Sequence, residues 1–295
     1  MNDAEKLVKE YLDYLEIEKN RSVKTRENYG RYLARFLATT KVRTYQDITA
    51  DAVREFRLTL ARGELKRITQ GYYVIALRNF LKYLVKRGLP DVLPPETIEL
   101  PKVARRDIEV LDYRNLELLL TAPTGDDFRS CRDRAILETF FSTGLRLSEL
   151  CALPRTVDLE RGELSVRGKG DKLRVVFLSD SARKAIKSYL ERRTDIDQAL
   201  FVSGTKNGTV IGRITPRAVE RLVDRYARAA GIPTRVHPHQ LRHSFATDLL
   251  VNGADLRSVQ ELLGHANVST TQVYTHLTNK ELREVHEAFH SRRRK

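Results

Sequence analysis

The sequence predicts a mainly α-helical protein with a small β-hairpin, divided into two domains. Apolar residues recur at helical spacing through most of the chain. One stretch, 163–178, instead alternates β-branched residues on either side of Gly168-Lys169-Gly170-Asp171, the pattern of a hairpin with a glycine-rich turn. Between two long helical runs, Pro90, Pro94, Pro95 and Pro101 cannot continue a helix and read as an extended connector. The expected division is therefore residues 1–90, a linker at 91–106, and residues 107–295.

The first domain should hold four helices. The first spans about 3–18, with Leu7, Val8, Tyr11, Leu12 and Leu15 on one face. Ser22 is a suitable N-cap for the second, which carries Tyr29, Tyr32, Leu33, Phe36 and Leu37. Thr49 can cap the third, which Gly63 ends, and Thr69 can cap the fourth, which stops at Gly88. In the second domain helices are expected near 112–121, 130–143, 146–152, 179–193, 216–230, 238–251, 255–263, 269–275 and 279–290. Thr215-Pro216 with Gly231 beyond it brackets one of them clearly. Thr278 and Glu281 have the spacing of a capping box at the start of the last.

The 295 residues include 53 basic and 39 acidic side chains, a formal charge of +14. That surplus points to a polyanion, most simply nucleic acid, against the plainer reading of a basic soluble enzyme. It is not confined to a tail. Up to Arg106 there are 22 basic against 14 acidic residues, and after it 31 against 25. Both domains could therefore touch DNA. Cys131 and Cys151 lack metal-ligand spacing and sit in apolar helical patterns, as buried free thiols in a reducing compartment would. The first ten residues are charged, unlike a signal peptide, and no apolar run approaches the ~20 residues needed to span a bilayer. The expected location is cytoplasmic, with no membrane partner.

Four short stretches could carry chemistry. In Gly144-Leu145-Arg146-Leu147-Ser148-Glu149, the glycine should end one helix and leave Arg146 at the start of the next. A cation there opposes the helix dipole unless an anion binds, and a guanidinium grips phosphate with two parallel hydrogen bonds. Glu149, one turn on, could orient it. A surface arginine simply paired with Glu149 is the equal alternative. In His237-Pro238-His239-Gln240-Leu241-Arg242-His243, Pro238 suits the first helical position, and His239 and Arg242 then share a face. They offer a second guanidinium beside an imidazole able to move a proton near neutral pH. No third ligand type converges on His237 and His243, which argues against a metal. In Leu262-Leu263-Gly264-His265 the glycine is a C-cap, so His265 leaves the helix on a fixed turn. Finally, Tyr274 lies in a short polar segment, and its phenol becomes a useful nucleophile only among phosphate-bound cations. Metal-free phosphoryl transfer needs cations around the non-bridging oxygens, an acid for the leaving oxygen and an in-line nucleophile. Spacing leaves Lys169 and Lys172 both open as the exposed lysine.

These stretches, in this order, resemble the tyrosine recombinase family, and within it most of all the Xer recombinases. The resemblance runs over nearly the whole chain: Gly-Leu-Arg-x-x-Glu-Leu at Arg146, Gly-Lys-Gly at Lys169, Pro-His-x-Leu-Arg-His at His239 and Arg242, Leu-Gly-His at His265, and Thr-Thr-Gln-x-Tyr-Thr-His at Tyr274. It implies that Arg146 and Arg242 clamp the scissile phosphate, and that His239 assists proton transfer from the nucleophile. It further implies that His265 donates to a non-bridging oxygen, that Lys169 protonates the departing 5′-oxygen, and that Tyr274 attacks to form a 3′-phosphotyrosyl bond. No cofactor and no metal are implied.

The family architecture would be a C-shaped clamp, with an N-terminal SAM-like core-binding domain and a catalytic domain on opposite sides of double-stranded DNA. Four subunits, identical or with a paralogue, would assemble on two inverted-repeat sites and exchange strands through a Holliday junction. A helix at 278–290 would dock on a neighbour, and a DNA translocase is a candidate regulator. Chromosome or plasmid dimer resolution is the implied role. A mobile-element integrase and a type IB topoisomerase are the alternatives. His237 departs from the small polar residue expected there.

Overall fold

The computed structural model describes residues 2–101, 111–168, 173–205, 209–264 and 286–290. The chain forms two compact units, up to Arg106 and from Asp107 onward.

In the first unit, α1 (Asp3–Asp13) runs into a π-helical turn at Tyr14–Glu18 and is followed by α2 (Val23–Thr40), α3 (Ala50–Arg62) and α4 (Arg67–Lys86). The helix starts follow from side chains that accept otherwise orphaned backbone N–H groups. Asn2 caps α1, Ser22 caps α2 and Thr49 caps α3. Helix α4 corrects one expectation: it begins at Arg67, so Thr69 lies inside its first turn. The Gln70 side-chain amide donates to Leu65 O at 2.8 Å, which fastens the chain across the helix start without a capping hydroxyl. Packing then closes on an aromatic core. Tyr11 and Phe80 lie with ring centroids 5.4 Å apart, and Phe36 meets Phe56 edge-on at 5.1 Å.

The second unit contains α5 (Tyr113–Thr121), α6 (Phe128–Thr143), α7 (Leu147–Ala152), strands β1 (Glu163–Arg167) and β2 (Leu173–Phe177), and α8 (Asp180–Leu190). Strands β3 (Val202–Gly204) and β4 (Val210–Arg213) follow, then α9 (Pro216–Ala229), α10 (Pro238–Val251) and α11 (Leu256–Leu263). β1 and β2 pair antiparallel as the sequence pattern requires, with Arg167 opposite Leu173 as the outermost pair. β3 and β4 form a second antiparallel hairpin that the sequence reading did not foresee. Three residues containing a glycine, paired with four more containing another, give no alternation to detect.

Helix α6 is the axle of this unit. From Ala135 to Thr143 every residue is buried, so its polar side chains need internal partners. Thr139 donates to Ala135 O and Thr143 to Thr139 O, each at 2.6 Å. Ser142 Oγ lies 3.2 Å from Phe177 O and accepts from Ser179 N at 2.6 Å, tying α6 to the end of β2. Asp133 accepts from both Arg132 and Arg225 and from the Tyr226 hydroxyl. Among the described residues, no helix is long and apolar enough to cross a membrane.

Of the expected helices at 269–275 and 279–290, only 286–290 lies within the described residues. There the chain is helical at 286–289 and packs against its own unit. His286 and His290 stack at 4.8 Å, and His290 also meets Phe141 at 4.7 Å and Phe245 at 5.2 Å. These rings cover aromatic surface that a single chain would otherwise leave in water. His286 Nε2 donates to Ser142 O at 2.7 Å, and His290 Nδ1 lies 3.2 Å from Asp248. Burial, reinforced by His290, pushes the His286 imidazole from its ordinary 6.5 down to about 3. A detached segment therefore binds more protons than a docked one between those limits, and docking weakens as pH falls below about 6.5. Amides of residues 286–290 should exchange faster at about pH 5 than at about pH 7.5 after correction for intrinsic rates, and His286→Phe should reduce that difference. Equal protection at both pH values would mean that His286 does not control the contact.

Candidate active site

The site is assembled around two helix corners and one strand. At the first corner, α6 ends on Gly144 with φ of +58°, a conformation that glycine adopts without strain. The glycine is doubly required. A methyl group there would collide with the Phe245 ring and come within 3.0 Å of Leu263. The chain then turns immediately into α7, with Arg146 at its N-cap.

Glu149, in the first turn of α7, answers the misplaced cation. Its carboxylate accepts from Arg146 N at 2.8 Å and from Arg146 Nη1 at 2.7 Å. It also takes a two-pronged grip from Arg174 on β2, with Nη1 at 2.9 Å and Nη2 at 2.7 Å. Burial alone would push the Glu149 carboxyl up, but the hydrogen bonds from Arg174 and Arg146 outweigh it and hold it down at about 2.

The second corner is the C-terminus of α11, where Gly264 has φ of +62°. Its last carbonyls lack helical partners, and the arginines supply them. Arg146 Nη2 donates to Gly264 O at 2.9 Å, Arg242 Nη2 to Leu263 O at 2.7 Å, and Arg174 Nε to Leu262 O at 3.2 Å. Arg242, in α10, also donates to Gly144 O, so it bridges the two corners. Only 6% of its surface is exposed. Burial, then Arg146 and Arg174, lower its guanidinium to about 10, which leaves it charged at neutral pH. A buried cation pressed by two others is poised for an anion.

His239 is exposed in the first turn of α10, three residues before Arg242. His243, half-buried, is pushed below its usual value by burial and by the nearby His239 and Arg242. His237 stands at the N-cap of the same helix, where its backbone N–H donates to Gln240 Oε1 at 2.7 Å. The structure thus brings Arg146 and Arg242 onto consecutive carbonyls, with His239 on the same helix as Arg242. Lys169, His265 and Tyr274 lie outside the described residues.

Arg174 is the member that the sequence reading missed. A signal was present: it faces Val166 across the hairpin and shares its face of β2 with buried Val176. A charge among apolar residues on one face of a strand implies a partner. Gly144→Ala tests the first corner. It should lower unfolding stability by roughly 2–4 kcal/mol through the left-handed backbone and the collision with Phe245, read as a lower urea midpoint at unchanged slope. A midpoint like that of the parent chain would show that the corner relaxes freely.

Comparisons with known proteins agree over both units. The phage integrase family model matches residues 109–281, and the phage integrase N-terminal SAM-like domain matches residues 8–88. The chain is 35% identical to tyrosine recombinase XerC of Thermodesulfovibrio yellowstonii over 300 residues, covering 98% of each chain. It is 38% identical to the XerC of Haemophilus influenzae over 289 residues, covering 96% of each. Among solved structures it is similar to XerH site-specific recombinase bound to its difH substrate, at 25% identity and a TM-score of 0.64, covering 95% of this chain and 83% of that one. A lambda integrase dimer bound to a COC′ core site shares the fold, with a TM-score of 0.69 at 17% identity, covering 92% of this chain and 98% of that one.

Proposed function

The chain belongs to the phage integrase family and is a site-specific tyrosine recombinase of the Xer kind, and from that premise we propose that Tyr274 is its nucleophile and that Arg146 and Arg242 clamp the phosphate it attacks. The observation that carries this reading is the convergence of Arg146 and Arg242 on consecutive carbonyls at the end of α11, immediately before the stretch that holds His265 and Tyr274. Two guanidiniums about 4 Å from a phosphate, at an effective dielectric near 20, contribute about 4 kcal/mol each. That charge lies where negative charge builds up in the transition state.

In the proposed cleavage the Tyr274 oxygen bonds to phosphorus while the bond from phosphorus to the 5′-oxygen breaks. The phenolic proton passes towards His239, and Lys169 protonates the departing oxygen. His265 donates to a non-bridging oxygen. A free 5′-hydroxyl from the partner strand then reverses each transfer and releases Tyr274. The covalent bond conserves the energy of the phosphodiester, so the scheme uses no cofactor, no metal and no external energy source.

We read the enzyme as acting on double-stranded DNA as a multimer, in keeping with the similar XerH recombinase, which is bound to its difH substrate. We assign residues 1–90 to gripping the core site, 91–106 to connecting, and 107–295 to the chemistry. A tetramer on two inverted-repeat sites, exchanging strands pairwise through a Holliday junction, fits the family. So does resolution of chromosome or plasmid dimers in the cytoplasm, with a paralogous recombinase or a DNA translocase as further partners. The XerC relatives, alike over almost their full length, favour this role over a mobile-element integrase or a type IB topoisomerase.

Tyr274→Phe should bind DNA as the parent does yet leave no covalent adduct on a nicked suicide duplex. An adduct that persists would move the nucleophile elsewhere. Lys169→Ala should slow cleavage by about 100-fold or more, with recovery when the bridging 5′-oxygen is replaced by sulfur, which leaves without a proton. No selective recovery would remove Lys169 from the acid role.

A further inference from the structure

We infer that Arg174 is a positioning residue for the acid step: it locks the hairpin that carries Lys169 to the corner that carries Arg146. The inference rests on the proposed role of Lys169 and extends it to a residue with no direct part in the chemistry.

The geometry begins with the weakness of the hairpin. Among the described residues, β1 and β2 form a two-stranded sheet. Such a ribbon is marginal alone, and the direction of its tip depends on what its strands are tied to. Arg174 is the second residue of β2, next to the outermost pair, Arg167 with Leu173. Its guanidinium reaches away from the hairpin in two directions. One edge grips both oxygens of Glu149, at 2.9 and 2.7 Å, and Nε donates to Leu262 O at 3.2 Å. Glu149 in turn holds Arg146 at 2.7 Å, and Arg146 returns to the same helix end through Gly264 O at 2.9 Å. The result is a closed ring of contacts joining β2, α7 and the end of α11. Charge-assisted, two-pronged hydrogen bonds are among the strongest a side chain makes, and they hold a short ribbon in one orientation.

The stem of Arg174 is also fitted to its place. A Cβ added at Gly264 would come within 2.8 Å of Arg174 Cδ, so the glycine that ends α11 makes room for this side chain. Its side chain is only 11% exposed, and the edge turned to Glu149 cannot also face a phosphate. That separates Arg174 from the phosphate clamp. Lysine could not replace it, because a point charge cannot span two carboxylate oxygens and a carbonyl together.

The test compares adduct formation on nicked suicide duplexes with an ordinary 5′-oxygen or a bridging 5′-sulfur. The duplex carries the site that the wild-type protein selects from random-sequence DNA. Arg174→Met should slow cleavage of the oxygen substrate by about 100-fold but that of the sulfur substrate by about 5-fold or less, following the acid contribution it disturbs. In the Lys169→Ala background, adding Arg174→Met should slow oxygen cleavage little further, since both substitutions disable one step. Arg174→Lys should lie between and supplies the test if Arg174→Met does not fold, as judged by thermal melting and gel shift. A sulfur-to-oxygen ratio equal to that of the wild type in the folded variants would overturn the inference and leave Arg174 to the fold or to the phosphate charge. Absence of any adduct with the wild type would instead overturn the reading of Tyr274.

Discussion

Three guanidiniums gathered at one partly buried corner repel one another, and the second unit meets that constraint by burying Glu149 among them. Two like charges about 6 Å apart at an effective dielectric near 20 repel by about 3 kcal/mol. The carboxylate offsets this for Arg146 and Arg174, which it touches, and less directly for Arg242. It does not neutralise the corner. One negative charge among three positive ones leaves a surplus of two, held in fixed directions by backbone carbonyls of Gly144, Leu263 and Gly264. Arg242 can therefore be both buried and charged without collapsing the packing around it.

The scaffold beneath exists to keep those carbonyls still. Two glycine-ended helices, α6 and α11, present their last backbone oxygens to the same small region, and Phe245 wedges against the first of them. Thr139 and Thr143 spend their hydroxyls on carbonyls of α6 itself, while Ser142 and Asp133 tie the helix to the end of β2 and to α9. Arg146 and Arg242 are separated by nearly a hundred residues of sequence. Their approach depends on this rigid frame.

What could be read from the sequence was local. Ser22, Thr49, Pro216 and Pro238 mark helix starts because each satisfies backbone geometry within its own turn. Gly144 and Gly264 mark helix ends for the same reason. Thr69 misled because α4 begins two residues earlier, at Arg67, with no side-chain cap at all. The β3–β4 hairpin was too short to show a period. Arg146 and Glu149, three residues apart, were legible as a pair, whereas Arg174 meets Glu149 across 25 residues and Leu262 across 88. No spacing rule reaches that far. His239 and Arg242 were readable as neighbours on α10, but nothing in their own stretch tells that Arg242 turns inward to the ends of two other helices.

The depth to which the Glu149 proton has been driven has a bearing on kinetics. With its carboxyl held at about 2, the anion persists through mildly acidic and neutral pH. The balance of fixed charge at this corner is therefore constant across the working range. An acid limb in a rate profile does not come from Glu149, and the positive surplus that faces the phosphate is not cancelled or doubled by its titration.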